Sequence, residues 1–410
     1  MEGLFKSKTP GAAQKLLFFF ALSSLVATLL LGLTLSIHRI FPEFNMLPFQ
    51  VLRPLHTLFA LSWVMNGSLA SVFALMKVDL KIGSAWILPS LFLISAASIL
   101  SGNLTGREYI VWPLSVSIIL VLFFLFVSIW FFVFLKKAYE IFAESTWMIA
   151  LGFVLLSASL VESNYYLFDE SISIGRDIAI QWHAIDSLFG ALNLIGYGLL
   201  SYMLRKELAA PVYSWKFQVA LIVGLTGLLL TFGHHFYPSP QPEFLKTIAF
   251  TASMVAIVSI WLKSSSRIKN TSAGMYIVFA RYSVLWTLFS IVTGVLMSVP
   301  AINQITHGTY FVVAHSMGSL IGVNTFILFS VIFYLTEGVE HNNFLKKVLL
   351  YFNASLMLFV TLLSVAGVMT NMSIQGTFLS LDIIYILIFA SGILLFVFIM
   401  PIIFAAAKKL

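Results

Sequence analysis

Residues 110–135 read IVWPLSVSIILVLFFLFVSIWFFVFL, and Lys136 and Lys137 follow at once. Not one of these positions is charged. About 20 apolar helical residues cross the hydrocarbon core of a bilayer, so this stretch is read as a span. Working outward, comparable runs precede it at 14–37, 54–76 and 84–102. Others follow at 146–167, 178–203, 214–236, 245–263, 274–299, 308–335, 347–370 and 382–407. The composition agrees, with 60% hydrophobic and 10% charged residues among 410. The sequence therefore predicts an all-α integral membrane protein of twelve transmembrane helices. The first run lacks a small-residue cleavage site after a short apolar core, which predicts a retained helix rather than a signal peptide. No Pro/Gly/Ser-rich linker or low-complexity tract appears, so residues 1–410 are expected to form a single twelve-helix domain.

The cations fall on one side. Starting with the N-terminus, alternate connections carry clusters such as Lys6, Lys8 and Lys15, Lys136 and Lys137, or Lys263, Arg267 and Lys269. The other connections carry only Arg39, Arg53, Arg107, Arg176 and Lys246. Cationic loops stay in the cytoplasm, so both termini are expected there. The formal charge of +7 then reports orientation, and no nucleic-acid partner is expected. With no cysteine, disulfides, iron–sulfur clusters, copper–thiolate sites and C-x-x-C-H haem attachment are excluded. A redox centre in this chain must rest on His, Met or carboxylate.

On this map five histidines share one depth. His56, His183 and His315 lie near the outer starts of their spans, and His234 and His235 close a span at its outer end, in TFGHHFYPSP (231–240). Ionisable groups inside a membrane point to function, and neutral imidazole is the commonest protein metal ligand. One histidine alone is often an interhelical hydrogen-bonder, which is the reading for His38 and His341. Five at one depth point to a shared metal or haem site. His234 and His235 are about 100° apart on a helix, and Pro238, Pro240 and Pro242 would loosen its end so that both rings reach one ion. His183 can add a third nitrogen, leaving an open position as reactive metal sites do. Asp186, three residues after His183 on nearly the same face, reads as a fourth ligand or a proton carrier, or equally as a helix-surface charge partner.

These stretches resemble the haem–copper oxidase superfamily, especially its nitric oxide reductase branch. VPAINQITHGTYFVVAH (299–315) is similar to the start of its tenth helix, and the pair at 234–235 to its seventh. LRPLHTLFALSW (52–63) is similar to its second helix and SVAGVM (364–369), more weakly, to its eleventh. The resemblance implies the twelve-helix haem–copper arrangement in a bacterial inner membrane. It makes His315 the ligand of a high-spin haem and His183, His234 and His235 the ligands of a non-haem metal. His56 becomes an axial ligand of a second, low-spin haem, with b-type haems implied. Arg53 would lie near haem propionates, and His307 would be an outer-edge hydrogen-bonding or ion-site residue.

Two positions depart from the superfamily pattern. Its tenth helix usually carries H-x-H, two imidazoles about 200° apart serving two haems. Here the sequence is His315-Ser316-Met317. Methionine is a competent axial ligand that raises haem potential, so Met317 is either that ligand or simple packing. The second departure is Ser187, where one oxygen-reducing branch has a tyrosine and the nitric oxide branch a glutamate. Nitric oxide reduction needs two electrons, and a carboxylate such as Asp186 suits iron better than copper.

Acidic groups gather at the outer edge, so protons are expected from that side, without pumping, through Glu162 and Asp186. Electrons are expected from a cytochrome c or copper-bearing subunit, or from quinol; the lack of a long N-terminal extension argues against a single-chain quinol-oxidising form. The rival readings are a terminal oxygen reductase, a nitric oxide dismutase-like relative and, in a different class, a proton-coupled transporter. Transporters show internal repeats and midplane helix breaks, and neither is visible here.

Overall fold

A computed structural model describes residues 9–43, 47–78, 80–105, 107, 109–137, 144–167, 173–208, 215–230, 242–269, 274–336, 343–372 and 380–410. In chain order the helices are α1 (Ala12–Ile40), α2 (Phe49–Leu75), α3 (Ile82–Ala85), α4 (Ile87–Leu100), α5 (Leu114–Lys137), α6 (Glu144–Glu162) and α7 (Ile174–Leu208). They continue as α8 (Trp215–Leu230), α9 (Glu243–Lys269), α10 (Met275–Ser298), α11 (Pro300–Thr306) and α12 (Tyr310–Met317). A π-helix, Gly318–Thr325, then leads into α13 (Phe326–Leu335), α14 (Asn343–Met372) and α15 (Leu381–Lys409). No strand occurs among the described residues.

Among the described residues eleven helical stretches are long and apolar enough to cross a membrane. They correspond to eleven of the twelve expected runs. The run expected at 214–236 is represented by α8, whose described part is 16 residues long. The chain forms two compact units. One holds Met1–Trp112, Ser272–Ser283 and Thr309–Leu410; the other holds Pro113–Thr271 and Val284–Gly308.

In the first unit α2 runs against α1. Ser24 and Ser62 share a hydrogen bond between hydroxyls at 2.9 Å, and Asn66 donates to the Ser62 carbonyl. Lipid offers no such partners, so small polar groups between helices are satisfied by one another. The Trp63 indole N–H donates to Thr325 Oγ1 at 2.9 Å. Thr325 Oγ1 and Asn324 Nδ2 in turn donate to the carbonyls of Leu320 and Ser319, five residues back, in keeping with the wider π turn.

In the second unit α6 and α7 touch backbone to backbone. A Cβ on Gly152 would stand 2.9 Å from the Ala191 carbonyl oxygen, and one on Gly198 would stand 2.9 Å from that of Ser145. Glycine at both contacts is what lets the two helices approach so closely.

Burial ranks the helices. In their most apolar 18-residue windows, 89% of α2, 83% of α7 and 94% of the Tyr310–Leu335 stretch is buried, against 17% of α9. The three deepest helical stretches carry His56, His183 and His315.

Candidate functional site

In the first unit His56 sits on α2, seven residues into the helix, facing α1. Its Nδ1 lies 2.9 Å from the Thr28 carbonyl oxygen, so Nδ1–H donates and Nε2 carries the free lone pair. Metal-bound histidines are held in this way, by a hydrogen bond from the other ring nitrogen. The ring has room only because α1 has glycine beside it. A Cβ on Gly32 would stand 3.0 Å from His56 Cε1 and 3.4 Å from Nδ1. Two residues that the sequence alone did not single out, Thr28 and Gly32, thus orient this imidazole. The first acts through its backbone, so no side-chain pattern could have announced it.

His315 and Met317 lie in the last turn of α12, immediately before the π-helix begins. That turn is α-helical, so the two positions project about 200° apart, toward opposite faces. A π segment placed at such a point is a frequent mark of a functional site. Gly367, in the 364–369 stretch, lets α14 press on the start of α12. A Cβ there would collide with the Phe311 amide and stand 2.8 Å from Thr309 Oγ1. At one end of this unit Arg39 lies over the Tyr385 ring and donates to its hydroxyl at 3.1 Å, and Tyr385 meets Tyr310 edge to face. Arg53 is exposed on α2.

In the second unit His183 is buried on α7, and its Nδ1 stands 2.5 Å from Glu162 Oε1 at the end of α6. The sequence placed Glu162 among the proton carriers. The structure puts its carboxylate on the imidazole of His183, where it orients the ring through Nδ1. Asp186 follows within electrostatic reach of both groups. Ser187 is fully buried, four residues after His183. His307, beyond α11, packs its ring on Trp182, the neighbour of His183, at 5.7 Å between centroids. Burial holds the His307 pKa below its ordinary value.

Among the described residues no three of His, Cys, Asp or Glu form a group that could hold a metal ion. His234, His235 and His341 lie outside the described residues. His38 is at the end of α1, stacked on Phe49 at 6.0 Å.

Comparison with known proteins follows the same lines. The family model for cytochrome c and quinol oxidase polypeptide I matches residues 12–392. Cytochrome c oxidase subunit 1 of Rhodobacter capsulatus is 25% identical over 350 residues, covering 75% of this chain and 64% of that protein. A cbb3-type cytochrome c oxidase subunit of Stutzerimonas stutzeri is 21% identical, covering 71% of this chain and 67% of its own length. The chain thus spans under two thirds of the first relative. A heme-copper terminal oxidase dimer seen by cryo-EM has the same fold, with a TM-score of 0.72, 15% identity, and coverage of 97% of this chain and 84% of that one. These relatives carry oxidase names, and none of the three is a nitric oxide reductase.

Proposed function

The chain belongs to the cytochrome c and quinol oxidase polypeptide I family, and from that premise we propose that it is the haem-bearing catalytic subunit of a membrane oxidoreductase that reduces nitric oxide. The observation that carries this reading is the His183–Glu162 hydrogen bond, with Asp186 beside it and Ser187 one turn on. A ligand backed by one carboxylate, with a second close by, makes an oxygen-rich, electron-rich site that favours iron over copper. Ser187 offers a hydroxyl where the oxygen-reducing pattern has a tyrosine.

Two imidazoles oriented through Nδ1, those of His56 and His183, suit the groups this family binds. His56 would hold a low-spin haem through Nε2, with Met317 as a second residue able to hold it. His315 would hold a high-spin haem, and His183 a non-haem iron together with His234 and His235. When bound, these groups supply electron transfer and hold the diatomic substrate. The chain's own contribution is orientation and protons. Thr28 and Glu162 fix the imidazoles of His56 and His183, and the carboxyl groups of Asp186 and Glu162 deliver the two protons of 2 NO + 2 H⁺ + 2 e⁻ → N₂O + H₂O. Arg53 would pair with haem propionates, and His307 would support the Trp182–His183 turn. Protons would come from the outer side. Electrons would come from a cytochrome c or copper-bearing partner, or from quinol, in a bacterial inner membrane with both termini in the cytoplasm.

The oxidase names of the relatives favour a second reading, reduction of oxygen at a copper-containing site. Purified protein separates the two. Nitric oxide reduction requires haem absorption, non-haem iron and anaerobic conversion of NO to N₂O. Copper in place of that iron, with oxygen uptake and no N₂O, would overturn it in favour of the oxidase. A colourless, folded preparation would remove both and return the chain to the transporter class.

A further inference from the structure

Four helices of the second unit are tied together at the end remote from Glu162. Glu144, which opens α6, is only 3% exposed and pairs with Lys263 of α9 through Oε2. Arg267, one turn further along α9, places NH2 3.8 Å from the same oxygen and donates from NH1 to Ser201 Oγ of α7 at 2.9 Å. The Lys263 ammonium also stands 4.4 Å over the Phe217 ring of α8. One buried anion is thereby bound by two cations spaced i, i+4 on one helix.

We propose that Glu144 is a positioning residue. Through Lys263 and Arg267 it fixes the register of the α8–α9 hairpin against the α6–α7 pair. The need is physical. α9 is the least buried of the spans, so shape-fitting against α6 and α7 does little to set its height. Its close partner is α8, where the backbone of Gly227 meets that of Ala249. The hairpin is therefore cohesive within itself and held to the other pair by charge. Away from water such a pairing is strongly directional, because a lone buried carboxylate is costly. Two cations one turn apart also admit a single register. A slip of α9 by one turn would offer Ser259 in place of one of them. In sequence His234 and His235 lie between α8 and α9, so the clamp fixes the height of both helices that flank them. This last step rests on the metal reading proposed above; the clamp itself does not.

The chain has no cysteine, so Val154→Cys on α6 and Val255→Cys on α9, both at lipid-facing positions, accept spin labels uniquely. Distances are measured in the full-length purified protein, alongside non-haem metal per chain. E144Q is expected to shift or broaden the α6–α9 distance by up to about 5 Å, one helical turn, with a loss of non-haem metal per chain. E144D, which keeps the anion, is expected to preserve both. K263M keeps the stem over Phe217 and repeats the test should E144Q fail to fold. An unchanged distance in E144Q and K263M overturns the clamp. A changed distance with full metal content overturns its positioning role. Wild-type protein without non-haem metal sinks the functional reading instead, while the label distance still decides the clamp.

Discussion

Replacing Gly32 by alanine adds one methyl group where the structure leaves none free. The new Cβ would stand 3.0 Å from His56 Cε1, whereas unstrained carbon contacts settle at about 3.5–4.0 Å. The ring must therefore retreat by about half an ångström. It is held to that same helix by the 2.9 Å bond from Nδ1 to the Thr28 carbonyl, one turn before Gly32. Retreat stretches that bond, and losing it is worth about 0.5–1.5 kcal/mol. The bond makes the imidazole a stronger donor toward a metal on Nε2, which stabilises oxidised iron over reduced. Loosening it should raise the midpoint potential of a haem on His56. At 1.36 kcal/mol and 59 mV per tenfold for one electron, the rise is about 20–65 mV. Gly32→Val should exceed this and lower haem occupancy. Spectroelectrochemical titration of the low-spin haem in membranes measures both. A midpoint and spectrum in G32A and G32V identical to wild type would refute the reasoning. No substitution of the Thr28 side chain tests the same bond, because the acceptor is the backbone.

Glu162→Gln keeps the size of the side chain but removes the charge beside His183. Non-haem metal per haem should fall about 10- to 100-fold in affinity, read by metal analysis after chelator titration; equal retention would remove Glu162 from the site. Gly198→Val sets branched carbon 2.9 Å from the Ser145 carbonyl and should destabilise the α6–α7 pair by about 1–3 kcal/mol, seen as a lower thermal midpoint in detergent. Full stability there would mean the helices are further apart than described. His307 is held neutral by burial, below its ordinary pKa. The unfolded ring protonates first as pH falls, so stability is complete above about pH 6.5 and declines below it. His307→Phe should flatten that decline in a thermal series between about pH 7.5 and 5, and an unchanged slope would assign it elsewhere.

The spans were legible because a bilayer imposes length and hydropathy on each helix. The run at 110–135 and α5 agree for that reason. What stayed hidden was everything set by a backbone atom or a close approach. Thr28 contributes a carbonyl, which any residue has. Gly32, Gly152 and Gly198 act by lacking a side chain, and a membrane sequence carries many glycines. Glu162 was visible as an acid near the outer edge, but its bond to His183 joins residues 21 apart on separate helices. The π segment after Met317 has no sequence cue, since Gly318–Thr325 reads as ordinary helix former and spacer. Glu144 was lost because Lys263 and Arg267 read as solvated inner-edge cations, a role that fits their composition but not their pairing.

The two oriented imidazoles differ in one respect that bears on the proposed function. His56 donates to an uncharged carbonyl and His183 to a carboxylate. Charge-assisted hydrogen bonds are roughly twice as strong as neutral ones, so His183 gains more imidazolate character. A stronger donor stabilises the higher charge on a metal and lowers its potential. On the proposed assignment, a haem held by His56 and Met317 would therefore sit at the higher potential, since one of these residues carries a neutral bond and the other is a thioether. A metal on His183 would be the more electron-rich partner, suited to binding and activating a diatomic molecule.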